Sequence, residues 1–137
     1  MSWLGIDAGT SSVKALLIDD AQTVLAEASA PLEVQRPQPL WSEQDPADWW
    51  RATEIAVAQV RAAAPDAWAG LDGIGLSGQM HGAVLLDSGD AVLRPAILWN
   101  DGRAGAECME LERRVPDFRV RACNRAAGIC TSCTSYT

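Results

Sequence analysis

Residues 3–19 read WLGIDAGTSSVKALLID, and the fold turns on how that stretch divides. WLGID (3–7) is a short apolar run that ends in an acid. AGTSS (8–12) is small and hydroxylic. VKALLID (13–19) is rich in residues that favour strands. DAQ (20–22) has turn character, and TVLAEASA (23–30) alternates apolar with polar positions. Three strands joined by tight turns form an antiparallel meander.

Working outward, PLEVQRPQPLWSEQ (31–44) holds three prolines and reads as an extended loop. A helix then opens clearly. Asp45 is a good N-cap residue, Pro46 suits the first helical position, and Asp48 lies near the positive end of the helix dipole. The apolar stripe Trp49, Ala52, Ala56, Val60 and Ala63 carries this helix to about Ala64, where Pro65 stops it. LDGIGLS (71–77), GAVLLD (82–87) and AVLRPAILW (91–99) read as three further β-rich runs, with SGD (88–90) a turn. A second amphipathic helix is expected over about Ala104–Arg114. The order β-β-β-α-β-β-β-α is mixed α/β, with helices flanking a sheet that is antiparallel in part.

The 137 residues suffice for one domain with a modest core. The apolar fraction of 48% and the charged fraction of 21% are those of a globular chain. A net charge of -7 argues against a broad nucleic-acid footprint and against an anionic membrane surface. No run approaches the ~20 apolar residues of a membrane span. The N-terminus has no basic n-region of a secretory signal, so a cytoplasmic protein with reduced thiols is expected. Of the four cysteines, Cys130 and Cys133 form a CxxC pair. Cys108 and Cys123 are singletons, which makes a zinc or redox module the weaker reading of the tail.

Three polar loops could carry chemistry. In GIDAGTSS (5–12), Asp7 at a strand end could hold Mg²⁺ directly or through water. The turn amides at Gly9 and the hydroxyls of Thr10, Ser11 and Ser12 could meet phosphate oxygens, and Lys14 follows in the next strand. The same residues would also serve as a plain hairpin turn, and the P-loop pattern is missing. In SGQMHG (77–82), two glycines permit close backbone approach, and Gln79 and His81 supply the donors and acceptors a polyol requires. His81 could equally sit in water on a hairpin loop. In WNDGR (99–103), Asn100, Asp101 and Arg103 group an amide, a carboxylate and a guanidinium. That mix suits a polyhydroxy ligand, although Asp101 could simply cap the next helix. Each loop follows a β-rich run, and strand ends in open sheets tend to line one crevice.

The stretches GIDAGTSSVKALLID, RPQPLWSEQDPADWW, GIGLSGQMHGAVLLD and LRPAILWNDGR, collinear over about residues 3–118, resemble the N-terminal part of the bacterial xylulokinases of the FGGY carbohydrate kinase family. The resemblance implies the ribonuclease-H-like fold shared by actin and the sugar kinases, here an incomplete N-terminal domain. It implies ATP-dependent phosphorylation of D-xylulose to D-xylulose 5-phosphate, with ATP and Mg²⁺ as cofactors. Asp7, Gly9 and Thr10 would belong to the phosphate and magnesium loop. Met80 and His81, with Gln79, would contact the sugar, and Trp99, Asn100, Asp101 and Arg103 would help line its pocket. Full-length relatives are often homodimeric. Another FGGY pentulose or polyol kinase is the neighbouring alternative.

In that family the catalytic base is an aspartate further downstream, and no residue here matches it. Nor does the chain contain the second, nucleotide-binding domain. Residues 1–118 are therefore read as a partial domain. Residues 119–137, rich in Cys, Ser and Thr, are read as a divergent tail of the kind a shifted frame or truncation produces. A chain of this extent is expected to be inactive alone, binding sugar at most.

Overall fold

The computed structural model describes residues 1–115, which fall into two compact units. In chain order the elements are β1 (Ser2–Ala8), β2 (Ser12–Asp19), β3 (Val24–Pro31), β4 (Glu43–Gln44), α1 (Pro46–Ala63), α2 (Pro65–Ala69), β5 (Leu71–Gly78), β6 (Ala96–Ile97) and α3 (Gly105–Arg114). The first unit comprises Met1–Glu33 and Ala47–Gln79; the second comprises Val34–Pro46 and the described residues from Met80 onward.

The first unit is a four-stranded mixed sheet in the order β3-β2-β1-β5. β1–β2 and β2–β3 are antiparallel, as the meander reading requires, and β5 returns parallel to β1. That return needs a crossover, and the helix stretch supplies it. One sheet face carries Leu4, Val13, Ala15 and Leu17, all buried, against Ala52, Ala56 and Val60 of α1. The small alanines let the helix lie close to the strands, and the β-branched and leucine side chains fill the space between. Burying a side chain such as Leu17 contributes about 2 kcal/mol. The helix stripe runs as expected through Val60 and then continues to Ala64, not Ala63, which is exposed. Pro65 ends α1 but also begins the short helix α2.

Two close approaches fix glycines. A Cβ at Gly73 would come within 2.9 Å of Trp3 Cζ3, so the indole can lie across β5 only where β5 has no side chain. A Cβ at Gly9 would lie 3.1 Å from the Ser12 carbonyl oxygen, to which the Gly9 N–H donates at 3.0 Å. This is the tight turn between β1 and β2.

In the second unit the structure corrects the strand expectation for 82–87 and 91–99. These runs form only isolated bridges, Ala83↔Ile97 and Leu86↔Val92, plus the two-residue strand β6. Pro95 has no N–H to give to a ladder, and Val84, Leu85, Leu86 and Leu93 stay exposed, with no layer of the described residues packed over them to select a strand face. β6 pairs instead with β4, from the proline-rich segment that reads as loop throughout in sequence. The turn at 88–90 is as expected. The Asp87 carboxylate accepts the N–H groups of Gly89 and Ala91, and these bonds hold its carboxyl below the usual aspartate value. α3 matches its expected span within a residue, with Cys108 buried. Among the described residues no helix is long and apolar enough to cross a membrane. Cys123, Cys130 and Cys133, and with them the CxxC reading, lie outside the described residues.

Candidate functional site

The predicted phosphate-loop residues all fall in the first unit. Strand register sets two of them, Asp7 and Lys14, in a row with Ser29 and Ser77. Asp7 pairs with Lys14, Lys14 with Ser29, and Asp7 with Ser77 on the other side. Cross-strand neighbours on one face stand ~5 Å apart. The row Ser29–Lys14–Asp7–Ser77 therefore presents an ammonium and a carboxylate between two hydroxyls, on the face away from α1. With Glu27 these side chains line a cavity of about 840 Å³. Asp7, Lys14 and Ser11 are exposed, while Gly9, Thr10 and Ser12 are partly covered.

The hydroxyl of Thr10 donates to Gln79 Oε1 at 3.0 Å, and the Gln79 N–H donates to the Ala8 carbonyl at 2.9 Å. The end of β5 is thereby fastened to the β1–β2 turn. Sequence reasoning groups Gln79 with the sugar contacts; the structure brings it instead to Thr10, which sequence reasoning places in the phosphate loop.

A resident Mg²⁺ can be tested against this donor set. Among the described residues no three His, Cys, Asp or Glu side chains cluster to cage a metal. Mg²⁺ commonly takes only one or two carboxylates and completes its shell with phosphate oxygens and waters. The exposed Asp7 carboxylate bordered by hydroxyls, with Glu27 lining the same cavity, fits that mode.

The remaining predicted residues fall in the second unit. The antiparallel bridge Ala83↔Ile97 sends His81 and Trp99 out from the same end, each two residues from its bridge partner. His81 is exposed and has φ of 66°, the left-handed region that a non-glycine residue occupies at a cost. Met80 and Trp99 are exposed apolar neighbours in the same loops. Asn100 is exposed beside Trp99 and borders a cavity of about 500 Å³ with Arg36, Gln38 and Trp41.

Asp101 and Arg103 are engaged with each other. Asp101 is 3% exposed. Its Oδ1 accepts the backbone N–H and Nε of Arg103 at 2.9 and 2.8 Å. Its Oδ2 accepts Arg103 Nη2 at 2.5 Å and the Ser42 N–H at 2.6 Å. Four donors fill the roughly four lone-pair positions of a carboxylate. Burial alone would push the Asp101 carboxyl up. The hydrogen bonds from Arg103 and Ser42, with the guanidinium charge, outweigh it and hold the carboxyl below its ordinary value. The same bonds, first that to Asp101 and then that to Glu43, hold Arg103 above its own ordinary value.

Sequence reasoning missed Glu43, Ser42 and Trp41. Glu43 is 5% exposed, and its Oε1 accepts Arg103 Nη1 at 2.8 Å and Arg94 Nη2 at 2.5 Å. The Arg103 guanidinium carbon lies 3.7 Å from the Trp41 ring centroid, a cation–π stack. The one local sign was an acid and an aromatic inside an otherwise proline-rich loop, which carries no period to read.

Comparison with known proteins sets these residues in context. A family model, the N-terminal domain of the FGGY family of carbohydrate kinases, matches residues 2–135. The xylulose kinase of Escherichia coli strain K12 is 50% identical over 118 residues, covering 86% of this chain and 24% of that protein. The crystal structure of a xyloylose kinase from Brucella ovis superposes with a TM-score of 0.87 at 52% identity, over 93% of this chain and 27% of that one. That of a xylulose kinase from Rhodospirillum rubrum gives 0.82 at 38% identity, over 85% and 24%. The chain thus spans about a quarter of the length of the curated relatives it matches.

Proposed function

The chain belongs to the FGGY family of carbohydrate kinases, and from that membership we propose that it is the sugar-binding N-terminal part of a D-xylulose kinase, which uses ATP to form D-xylulose 5-phosphate. The observation that carries the reading is the 50% identity to a xylulose kinase over 118 residues, within a family match over residues 2–135 that contains all three polar loops. The mixed sheet with flanking helices expected from the sequence is the sugar-kinase, ribonuclease-H-like architecture of the structural neighbours.

In this reading the second unit supplies sugar contacts. His81 and Asn100 offer hydrogen bonds to hydroxyls, Met80 and Trp99 offer apolar walls, and Asp101 and Arg103 shape the pocket from behind. In the first unit, Lys14, Ser11, Ser12 and the Gly9–Thr10 turn face the phosphates, and Gln79 steadies that turn through Thr10. Asp7 is the residue that would hold Mg²⁺, whose charge would offset that of the nucleotide phosphates. Phosphoryl transfer draws mostly on positioning and charge neutralisation, and exposed polar side chains on rigid strands suit both. A cytoplasmic location, without nucleic-acid or membrane partners, accords with the net charge of -7.

The test is a chimera in which residues 1–115 replace the matching segment of the E. coli relative. D-xylulose-dependent ADP formation with kcat/KM within about tenfold of that relative is expected. Turnover with glycerol or gluconate in preference to D-xylulose would overturn the substrate assignment and favour another polyol kinase. The 137 residues assayed alone with MgATP and D-xylulose are expected to release no ADP above background.

A further inference from the structure

We propose that Glu43, outside the sugar-contact set, is a positioning residue for it: its carboxylate holds Arg103 and Arg94 so that Trp99 and Asn100 are presented in one fixed geometry. The inference rests on the sugar-site reading above for its consequence, and on the packing of the second unit for its mechanism.

Trp99 and Asn100 lie at the surface, and the backbone that carries them is held on both flanks. On one side the Leu98 N–H donates to the Ser42 carbonyl at 3.0 Å. On the other, Asp101 takes the Ser42 N–H and the Gly102 N–H donates to the Leu40 carbonyl at 2.8 Å. These anchors all lie on residues 40–43. Glu43 ends that segment, and its backbone is itself fixed twice over, bonded to Gln35 at 2.8 and 2.9 Å and paired with Ile97. It is a firmly held acid, and it grips the guanidinium that grips Asp101.

The charges favour this role over a purely stabilising one. Glu43 and Asp101 bring two negative charges into a buried place; the Arg103 side chain, 15% exposed, joins them there, and Arg94, 40% exposed, reaches Glu43 from the surface. Desolvating such a cluster offsets most of what its attractions contribute, so an apolar replacement would serve stability as well. What an apolar replacement cannot do is fix direction. Arg103 spends Nε and Nη2 on Asp101 and Nη1 on Glu43, with its face on Trp41. A planar group bonded at three nitrogens and stacked on one face is held in one orientation, and its bonds to Asp101 tie that orientation to the end of the 99–102 segment.

The experiment uses the 137-residue chain with ¹⁵N-labelled backbone and indole groups, and compares wild type, Glu43→Gln, Glu43→Asp and Arg94→Gln. In the unliganded spectra, Glu43→Gln is expected to move or broaden the Trp99 indole and Asn100 amide signals while those of β1, β2 and α1 stay in place. Glu43→Asp should restore them in part, and Arg94→Gln should move them less. Titration with D-xylulose should show affinity weakened at least roughly tenfold in Glu43→Gln, as a misplaced contact pair implies. If Trp99 and Asn100 signals coincide in wild type and Glu43→Gln, the inference fails. If Glu43→Gln does not fold, Arg94→Gln decides: unmoved Trp99 and Asn100 signals overturn the proposal and shifted ones support it. A wild-type chain that ignores D-xylulose would count against the sugar reading, while the unliganded spectra would still judge the positioning role.

Discussion

The Ser42 N–H donates to Asp101 Oδ2 at 2.6 Å across 59 residues of sequence. A backbone donor in the proline-rich segment thus meets a carboxylate that local sequence places on the surface. That carboxylate also bears the Arg103 guanidinium, so removing it strands two buried donors and a charge. Asp101→Ala is expected to destabilise the second unit by about 3 kcal/mol, read as an earlier urea midpoint for Trp41 and Trp99 fluorescence. Asp101→Asn keeps the shape but can accept only through one oxygen, and should fall between wild type and Ala.

The same carboxylate makes a pH prediction. Its folded value lies below the ordinary one, so the folded state holds the ionised form more tightly than the unfolded chain does. The stabilisation is fully present above the unfolded aspartate value near ~3.9 and is lost as pH falls through the lower folded value. The stability difference between wild type and Asp101→Asn should be constant near neutral pH and shrink once pH drops below about 4. A difference that widens on acidification would show that another group governs it.

Packing of the first unit gives a third expectation. Gly73→Ala would set a methyl 2.9 Å from Trp3 Cζ3, and the half-exposed indole can rotate away. Doing so breaks the bond from Trp3 Nε1 to Asp20 Oδ1, 3.1 Å long, at a cost of about 1 kcal/mol. A red-shifted Trp3 emission with a small drop in melting temperature is the signature. Leu17→Ala, by contrast, opens a hole beneath α1 and should cost about 2–5 kcal/mol.

How legible each part was follows from how local its causes are. The meander 2–31 and helix α1 declare themselves because alternation and the 49/52/56/60 stripe report one buried face within a few residues. Residues 82–99 look equally strand-like, yet among the described residues they form only β6 and isolated bridges. Apolar content says that a segment can be buried, not that a partner layer exists. The polar row Ser29–Lys14–Asp7–Ser77 was half legible: Asp7 and Lys14 stand out beside a glycine turn, whereas Ser29 and Ser77 join them only through register. Glu43 was not legible at all. Its partners are 51 and 60 residues away, and no local period couples them.

Asp7 is exposed on a strand whose opposite face forms the core, so its chemistry separates from folding. In the chimera, Asp7→Asn should leave the melting temperature within a degree or two of the parent and lower kcat by about 100-fold or more. Lys14→Met should act in the same direction and raise the KM for ATP. An Asp7→Asn chimera that retains parental kcat would remove Asp7 from the phosphate side of the proposal.

His81 allows backbone and side chain to be pulled apart. Its φ of 66° is one a Cβ makes costly, by roughly 1–2 kcal/mol, and a β-branched side chain makes worse. Replacement by glycine relieves that strain but frees the unfolded chain by a similar ~0.5–1 kcal/mol, so His81→Gly should leave stability nearly unchanged. His81→Val keeps the strain and adds crowding, and should lose about 1–2 kcal/mol relative to His81→Gly. If the imidazole contacts a sugar hydroxyl, both variants must weaken D-xylulose binding alike despite their different stabilities. Binding that tracks stability instead, strong in His81→Gly and weak in His81→Val, would show that the loop conformation matters there and the imidazole does not.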